Sequence, residues 1–330
     1  MAETDIYTKN YISQNTVFAD VFNFFVFGGD QVIRPDALRD ESVEEIALVP
    51  AEGEKPEVWQ RYRAVLKSCV IKRLGGVSCV LLGVENQASV HNAMAVRCMS
   101  YDALQYTMQV SQAASSHRQS GERLTSAEFL SGFAKSDKLT PVITLVVYFG
   151  PERWDAPRSL HQMMDLDTRF LPFVQDYKIN LIEPAALSED QLAKFATDFG
   201  QVMEFLKYSN DKQKISALLS EGSPYETIST SAALVLNSCA GIGIKINQNE
   251  EKTNMCKAIL EIRQESRIEG EARGEARGEA RGEIKGIFKT LYELVRDNLL
   301  SLANAAKKAG QSEEEFTAGM SAYFAQGGAV

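Results

Sequence analysis

Apolar positions come in three patterns along this chain: uninterrupted runs, helical periods and a four-residue repeat. The longest run, Pro141-Val142-Ile143-Thr144-Leu145-Val146-Val147-Tyr148-Phe149-Gly150, is continuous and β-branched. It reads as a strand in the middle of a sheet. A second run, residues 77–84, reads as another buried strand and ends in Glu85-Asn86-Gln87. Residues two apart on a strand share a face, so Glu85 and Gln87 project together and the Asn86 carbonyl lies between them. Packing alone gives so apolar a strand little reason to end in Glu-x-Gln; the competing reading is a solvated strand end before a turn. Between the two runs, residues 93–112 carry a helical apolar face of Val96, Met99, Ala103, Tyr106 and Val110. Strand, helix and strand make a β-α-β unit, which predicts a parallel pair.

Upstream, residues 13–27 predict a helix with a broad apolar face, and Asp20 and Asn23 lie three apart on it. Residues 30–56 read as loop with short ordered pieces, and 51–56 as an exposed turn. The stretch Trp59 to Arg73 fits a helical period or a strand; strand is favoured for at least 64–71, with Gly75-Gly76 turning into the next strand. Downstream, 113–126 is small and polar and reads as a mobile loop, 159–165 as a helix and 178–182 as a short edge strand. Residues 188–208, 211–220, 224–240 and 252–268 read as helices.

Residues 270–286 repeat Gly-Glu-Ala-Arg three times, then Gly-Glu-Ile-Lys and a final Gly. On a helix this sets each residue type in its own stripe, drifting about 40° per repeat. Partners at i,i+4 then carry like charge, which weakens an isolated helix. A second copy setting its Glu stripe against this Arg stripe would compensate. The repeat therefore reads as an oligomerisation or spacer helix, against the alternative of a flexible charged linker. Residues 287–330 read as a small helical module ending in a disordered tail. Four segments follow: 1–185, an α/β domain; 186–260, a helical extension; 261–289, the repeat helix; and 290–330, the C-terminal module.

Composition narrows the chemistry. The net charge of −9 argues against a nonspecific nucleic-acid coat, yet Arg61, Arg63, Lys67, Lys72 and Arg73 make a local basic run. Arg97, Tyr101 and Gln105 recur every four residues and, with Asp102, can face a site. Arg63, Lys67, Arg97 and Tyr101 are the candidate DNA contacts. The five cysteines show no CxxC spacing and read as reduced residues of a cytoplasmic protein. No run approaches the ~20 apolar residues of a membrane span, and the acidic, polar N-terminus is unlike a secretory signal. There is no GxxxxGK[ST] loop and no GxSxG elbow, and the three histidines lack metal-ligand spacing.

An ordered set of motifs resembles one family. Leu-Gly-Val-Glu-Asn-Gln at 82–87, Met-Ala-Val-Arg at 94–97, Tyr-Asp-Ala-Leu-Gln-Tyr at 101–106 and the run 140–150 with Trp154 are similar to the bacterial recombination-promoting nuclease/putative transposase (Rpn) family. So are Tyr177–Pro184, Tyr208–Lys212 and Ala305–Phe316. That family belongs to the PD-(D/E)XK nuclease superfamily. The resemblance implies an α/β fold, a mixed central sheet flanked by helices, and a site that cuts DNA with Mg²⁺ or Mn²⁺. It implies that Glu85 and the Asn86 carbonyl bind metal, that Gln87 orients the attacking water, and that Asp20 and Asn23 support the ligands. The family's Arg-Asp-Val-x-Lys stands here as Arg63-Ala64-Val65-Leu66-Lys67, so Ala64 occupies the place of a metal-binding Asp. The expectation is a catalytically inactive nuclease, through an Asp→Ala change whether introduced or natural. The alternatives are a shifted ligand, Asp36 or Asp40, and a non-catalytic DNA-binding or assembly protein.

Overall fold

The computed structural model describes residues 3–42, 44–49, 57–62, 64–73, 76–121, 123–165 and 167–325. Arg63, the turn at 51–56, Gly75 and the tail 326–330 lie outside the described residues. Contacts gather into two units, Met1–Ile259 and Leu260–Val330.

The first unit opens with helices α1 (Glu3–Ser13) and α2 (Asn15–Phe27). Strands β1 (Leu38–Asp40), β2 (Glu44–Val49), β3 (Glu57–Tyr62), β4 (Val65–Arg73) and β5 (Gly76–Gln87) follow. Then come α3 (Met94–Ser120), α4 (Ser126–Ser131), β6 (Val142–Tyr148), β7 (Asn180–Ile182), α5 (Glu189–Leu192), α6 (Phe199–Tyr208), α7 (Lys212–Leu218) and α8 (Thr230–Ala240). The long α9 (Met255–Arg296) leads to α10 (Leu302–Ala309) and α11 (Glu313–Ala325).

The central sheet has five strands in the order β1-β4-β5-β6-β7. It is mixed: β1, β4 and β5 pair antiparallel, while β5, β6 and β7 pair parallel. This is the α/β fold expected from the two apolar runs, with helices on both faces and a helical C-terminal region. Strands β2 and β3 form a separate antiparallel ribbon. Leu82 and Val84 from β5 and Leu145 and Val147 from β6 turn to one face and are fully buried. Each such aliphatic side chain stabilises the fold by roughly 1.5–3 kcal/mol. The aromatic residues of α1, α2 and α6 belong to that side: Phe149, next after β6, meets Phe199, which lies against Tyr11. On the opposite face, Val146 and Tyr148 join Met94 and Cys98 of α3, with Trp154 and Ala156.

Several boundaries differ from expectation. α3 runs on to Ser120 rather than yielding to a loop at 113, because nothing from Met94 to Ser120 is Gly or Pro; it stops at Gly121, whose φ is 65°. The helix expected over 159–165 is a short turn, His161–Met163, since Ser159 bridges Lys178 and the Leu160 N–H donates to the Tyr177 carbonyl. The helix expected over 188–208 breaks between α5 and α6, where the Asp20 carboxylate accepts the N–H groups of Ala196 and Thr197. Pro224 opens only a turn, and α8 starts later under the Ser229 side-chain cap. Lys252-Thr253 pairs with Ile228-Ser229 as a short ribbon before α9.

The Gly-Glu-Ala-Arg segment is helical throughout, within α9. Five glycines in an exposed helix disfavour it by about 1 kcal/mol each relative to alanine. In the second unit, Leu291, Tyr292, Ala305, Ala306, Phe316 and Tyr323 form the core. Gly310 ends α10 at φ 66°, and Ser312 caps α11 reciprocally with Glu315.

Candidate functional site

The β4–β5 register decides which side chains meet. Val65 pairs with Val84, the outermost pair at that end. Extended one step beyond β4, to the bend at residue 64, the same register sets that residue across from Glu85, and directly opposed residues share a face. Glu85 and Gln87 therefore point to the α3 face together with position 64. Glu85 is buried, with 1% of its surface exposed. From α3, Arg97 Nη2 lies 3.1 Å from Glu85 Oε2. Arg97 Nε also donates to Tyr101 Oη at 3.0 Å, and the guanidinium lies over the Tyr101 ring. The i,i+4 spacing stacks Arg97, Tyr101 and Gln105 on one side of α3, and Tyr101 and Gln105 are buried there. Burial works against the Arg97 charge, but Glu85 beside it, helped by Tyr101, holds the guanidinium above its ordinary pKa.

Further along the same face, the Asp102 carboxylate accepts from Thr144 Oγ1 and Tyr177 Oη, both at 2.6 Å. In the sequence Tyr177 reads as the start of a resemblance motif and not as a partner of Asp102, because the contact spans 75 residues of chain. The Asn86 carbonyl can be placed by alternation. The Phe149 N–H donates to the Gln87 carbonyl, and the Leu81 N–H to the Pro141 carbonyl. Odd-numbered residues of β5 thus direct their backbone groups towards β6, and Asn86 directs its own towards the β4 edge, on the side of residue 64.

The remaining candidates lie elsewhere. Lys67 pairs with Leu82, so it points to the face opposite Glu85. It is buried over the Phe18 ring with its ammonium on Asp40. This corrects the expectation that Lys67 contacts DNA, since its side chain is buried, and it removes Asp40 as a shifted ligand. Asp36 is bound to Arg34. The Asp20 carboxylate accepts from Ala196, Thr197 and the Thr197 hydroxyl. Asn23 accepts from the N–H groups of Val32 and Ile33 and donates to the Ile33 carbonyl and Gln31. Both side chains hold distant backbone in place, so their polar atoms are committed away from Glu85.

A divalent cation, which the resemblance implies, does not fit the donor set in this chain. The Ala64 methyl cannot ligate, and the Glu85 carboxylate already faces a guanidinium. Among the described residues, no three His, Cys, Asp or Glu side chains gather as a metal-ion group. Mg²⁺ favours carboxylate oxygens and waters in near-octahedral geometry, and a single carboxylate with a carbonyl is a weak start.

The five-stranded mixed sheet flanked by helices, with a buried carboxylate and an amide at the end of its central strand, is consistent with an α/β nuclease-like fold. Residues 70–222 match the model of the family described as "Putative transposase, YhgA-like". The match contains Glu85, Gln87, Arg97 and Tyr101, in keeping with the resemblance read from the motifs. No curated protein and no solved structure matches the chain. Among the described residues, no helix is long and apolar enough to cross a membrane.

Proposed function

We propose that the chain carries the fold of a metal-dependent DNA endonuclease but binds DNA without cutting it. The reading rests on the β4–β5 register, whose last pair is Val65 with Val84: extended by one residue it sets position 64 across from Glu85, and the side chain there is a methyl group. The family match supports a role in transposase-like DNA transactions, such as recombination or defence against foreign DNA. Arg97, part-exposed next to Glu85, supplies the cationic surface, the buried Tyr101 holds its guanidinium, and Arg63 adds charge in the chain beside Ala64.

In this reading Asp at 64 and Glu85 would form a two-carboxylate site, with the Asn86 carbonyl as a further oxygen and Gln87 beside it. The test is supercoiled plasmid incubated with Mg²⁺ and either this chain or its Ala64→Asp variant. Nicked or linear product from the variant alone, abolished by EDTA, is the expected result. Cleavage by both proteins would move the ligand away from position 64. Cleavage by neither, with duplex binding intact, would favour a binding or assembly protein with no nuclease history.

A further inference from the structure

The repeat helix within α9 arranges its charges so that opposite signs within the repeat cannot pair along the helix. Glu271, Glu275, Glu279 and Glu283 alternate with Arg273, Arg277, Arg281 and Lys285 at separations of two or six residues. Side chains pair along a helix at three or four residues. Opposite charges inside the repeat therefore cannot meet, and the i,i+4 ion pairs fall at its leading edge, Arg267–Glu271 and Glu269–Arg273. Between the two charge stripes runs an apolar one: Ile268, Ala272, Ala276, Ala280 and Ile284. The residues around it are solvent-exposed, and Ile268 and Ile284, at its two ends, are 53% and 54% exposed.

We propose that this stripe is the seam of a parallel self-association between two copies of the chain. The orientation follows from symmetry. Seen down the axis, Glu flanks the apolar stripe on one side and Arg on the other. A two-fold axis along the helices, as in a parallel pair, brings the Glu side of one copy against the Arg side of its partner, on both flanks. A two-fold axis across the helices, as in an antiparallel pair, sets Glu against Glu and Arg against Arg. Only the parallel pair neutralises the stripes. Alanine in the middle and isoleucine at the ends let the backbones approach at the centre and fill space where they diverge. A four-residue period exceeds the 3.6 of a straight helix, so the seam winds right-handed. The proposal does not depend on the chemistry at Glu85.

The test uses the full chain, with light scattering for mass and cysteine cross-linking for orientation. Ile268→Cys and Ile284→Cys are placed separately, about 24 Å apart along the helix, and mildly oxidised beside the parent chain as background. In the parallel pair, each variant alone gives disulfide-linked dimer at least tenfold above the parent, and mixing the two adds none between unlike positions. Cross-linking only in the mixture would establish an antiparallel pair and overturn the proposal, as would a monomeric mass for the parent. Charge reversal checks the cause. E271K/E275K/E279K/E283K and R273E/R277E/R281E/K285E are each expected to be monomeric and to form a dimer when mixed. A dimer that survives either reversal alone would overturn the charge argument.

Discussion

Placing aspartate at position 64 tests the site without any assumption about substrate. In the Ala64→Asp variant two carboxylates face one another across β4 and β5, and opposed Cβ atoms lie about 5 Å apart. Two unit charges at that distance repel by about 3 kcal/mol at an effective dielectric of about 20. Arg97, 3.1 Å from Glu85, and the partial exposure of residue 64 reduce this to about 1–2 kcal/mol. For a unit of this size that lowers the midpoint of thermal unfolding by about 2–8 °C in EDTA. Mg²⁺ should reverse the loss, because a ligand bound only by the folded state stabilises it by about 2.7 kcal/mol at one hundred times its dissociation constant. The assay is scanning calorimetry of the parent, Ala64→Asp and Ala64→Asn, each with EDTA and with Mg²⁺. Ala64→Asn is neutral and of similar size, and it should show neither the loss nor the recovery. A pH series adds a sign. Repulsion raises the pKa of one carboxylate above its unfolded value, so the EDTA deficit is expected at neutral pH and should vanish as pH falls through that raised value. An Ala64→Asp midpoint indifferent to both Mg²⁺ and pH would refute the placement of residue 64 beside Glu85.

Other substitutions probe the frame around the site. Asn23→Ala removes the partners of the buried N–H and C=O of Ile33, and at about 1–3 kcal/mol per orphaned group it should cost about 3–5 kcal/mol in urea unfolding. A loss below 1 kcal/mol would mean the segment 31–33 is not held this way. Lys67→Met replaces a buried ammonium by an apolar chain of similar length; stability should stay within about 1 kcal/mol or rise, and duplex affinity should not change. A large drop in DNA binding would return Lys67 to the binding surface. The Glu128 carboxylate accepts the Lys135 and Thr125 N–H groups and titrates at about 2, below its ordinary 4.5. A depressed pKa stabilises above the unfolded value, so proteolytic protection of segment 125–135 should fall as pH drops from 4.5 towards 2. Glu128→Gln should abolish that pH dependence.

The elements that could be read from the chain were those with uninterrupted patterns. Residues 77–84 and 141–150 had no competing period, and the β-α-β rule then gave their parallel pairing. The end of α3 was missed because small polar residues at 113–120 look like loop, although no residue there breaks a helix. The resemblance, with a spacing of three on one helix, points to Asp20 and Asn23 as supports of the ligands. They are used, but on backbone at 196–197 and 31–33, and only the tertiary fold shows that. Lys67 was a different error. Residues three apart on a strand face opposite ways, so Lys67 lies on the face away from Ala64, where it is buried, and the strand reading already contained that alternation. The Arg97–Glu85 contact joins two motifs the sequence set apart only by twelve residues, and the chain alone did not give its geometry.

The central claim is that residue 64 and Glu85 together would make a nuclease centre and that this chain lacks one of the two. Its most direct measurement is single-turnover cleavage of a labelled duplex in Mg²⁺ by Ala64→Asp and by Ala64→Asp/Glu85→Gln, with the parent chain as blank. The account predicts cleavage by Ala64→Asp alone, with the double variant falling to the parent's baseline while still binding the duplex. Equal cleavage by the single and double variants, or by the parent, would contradict it.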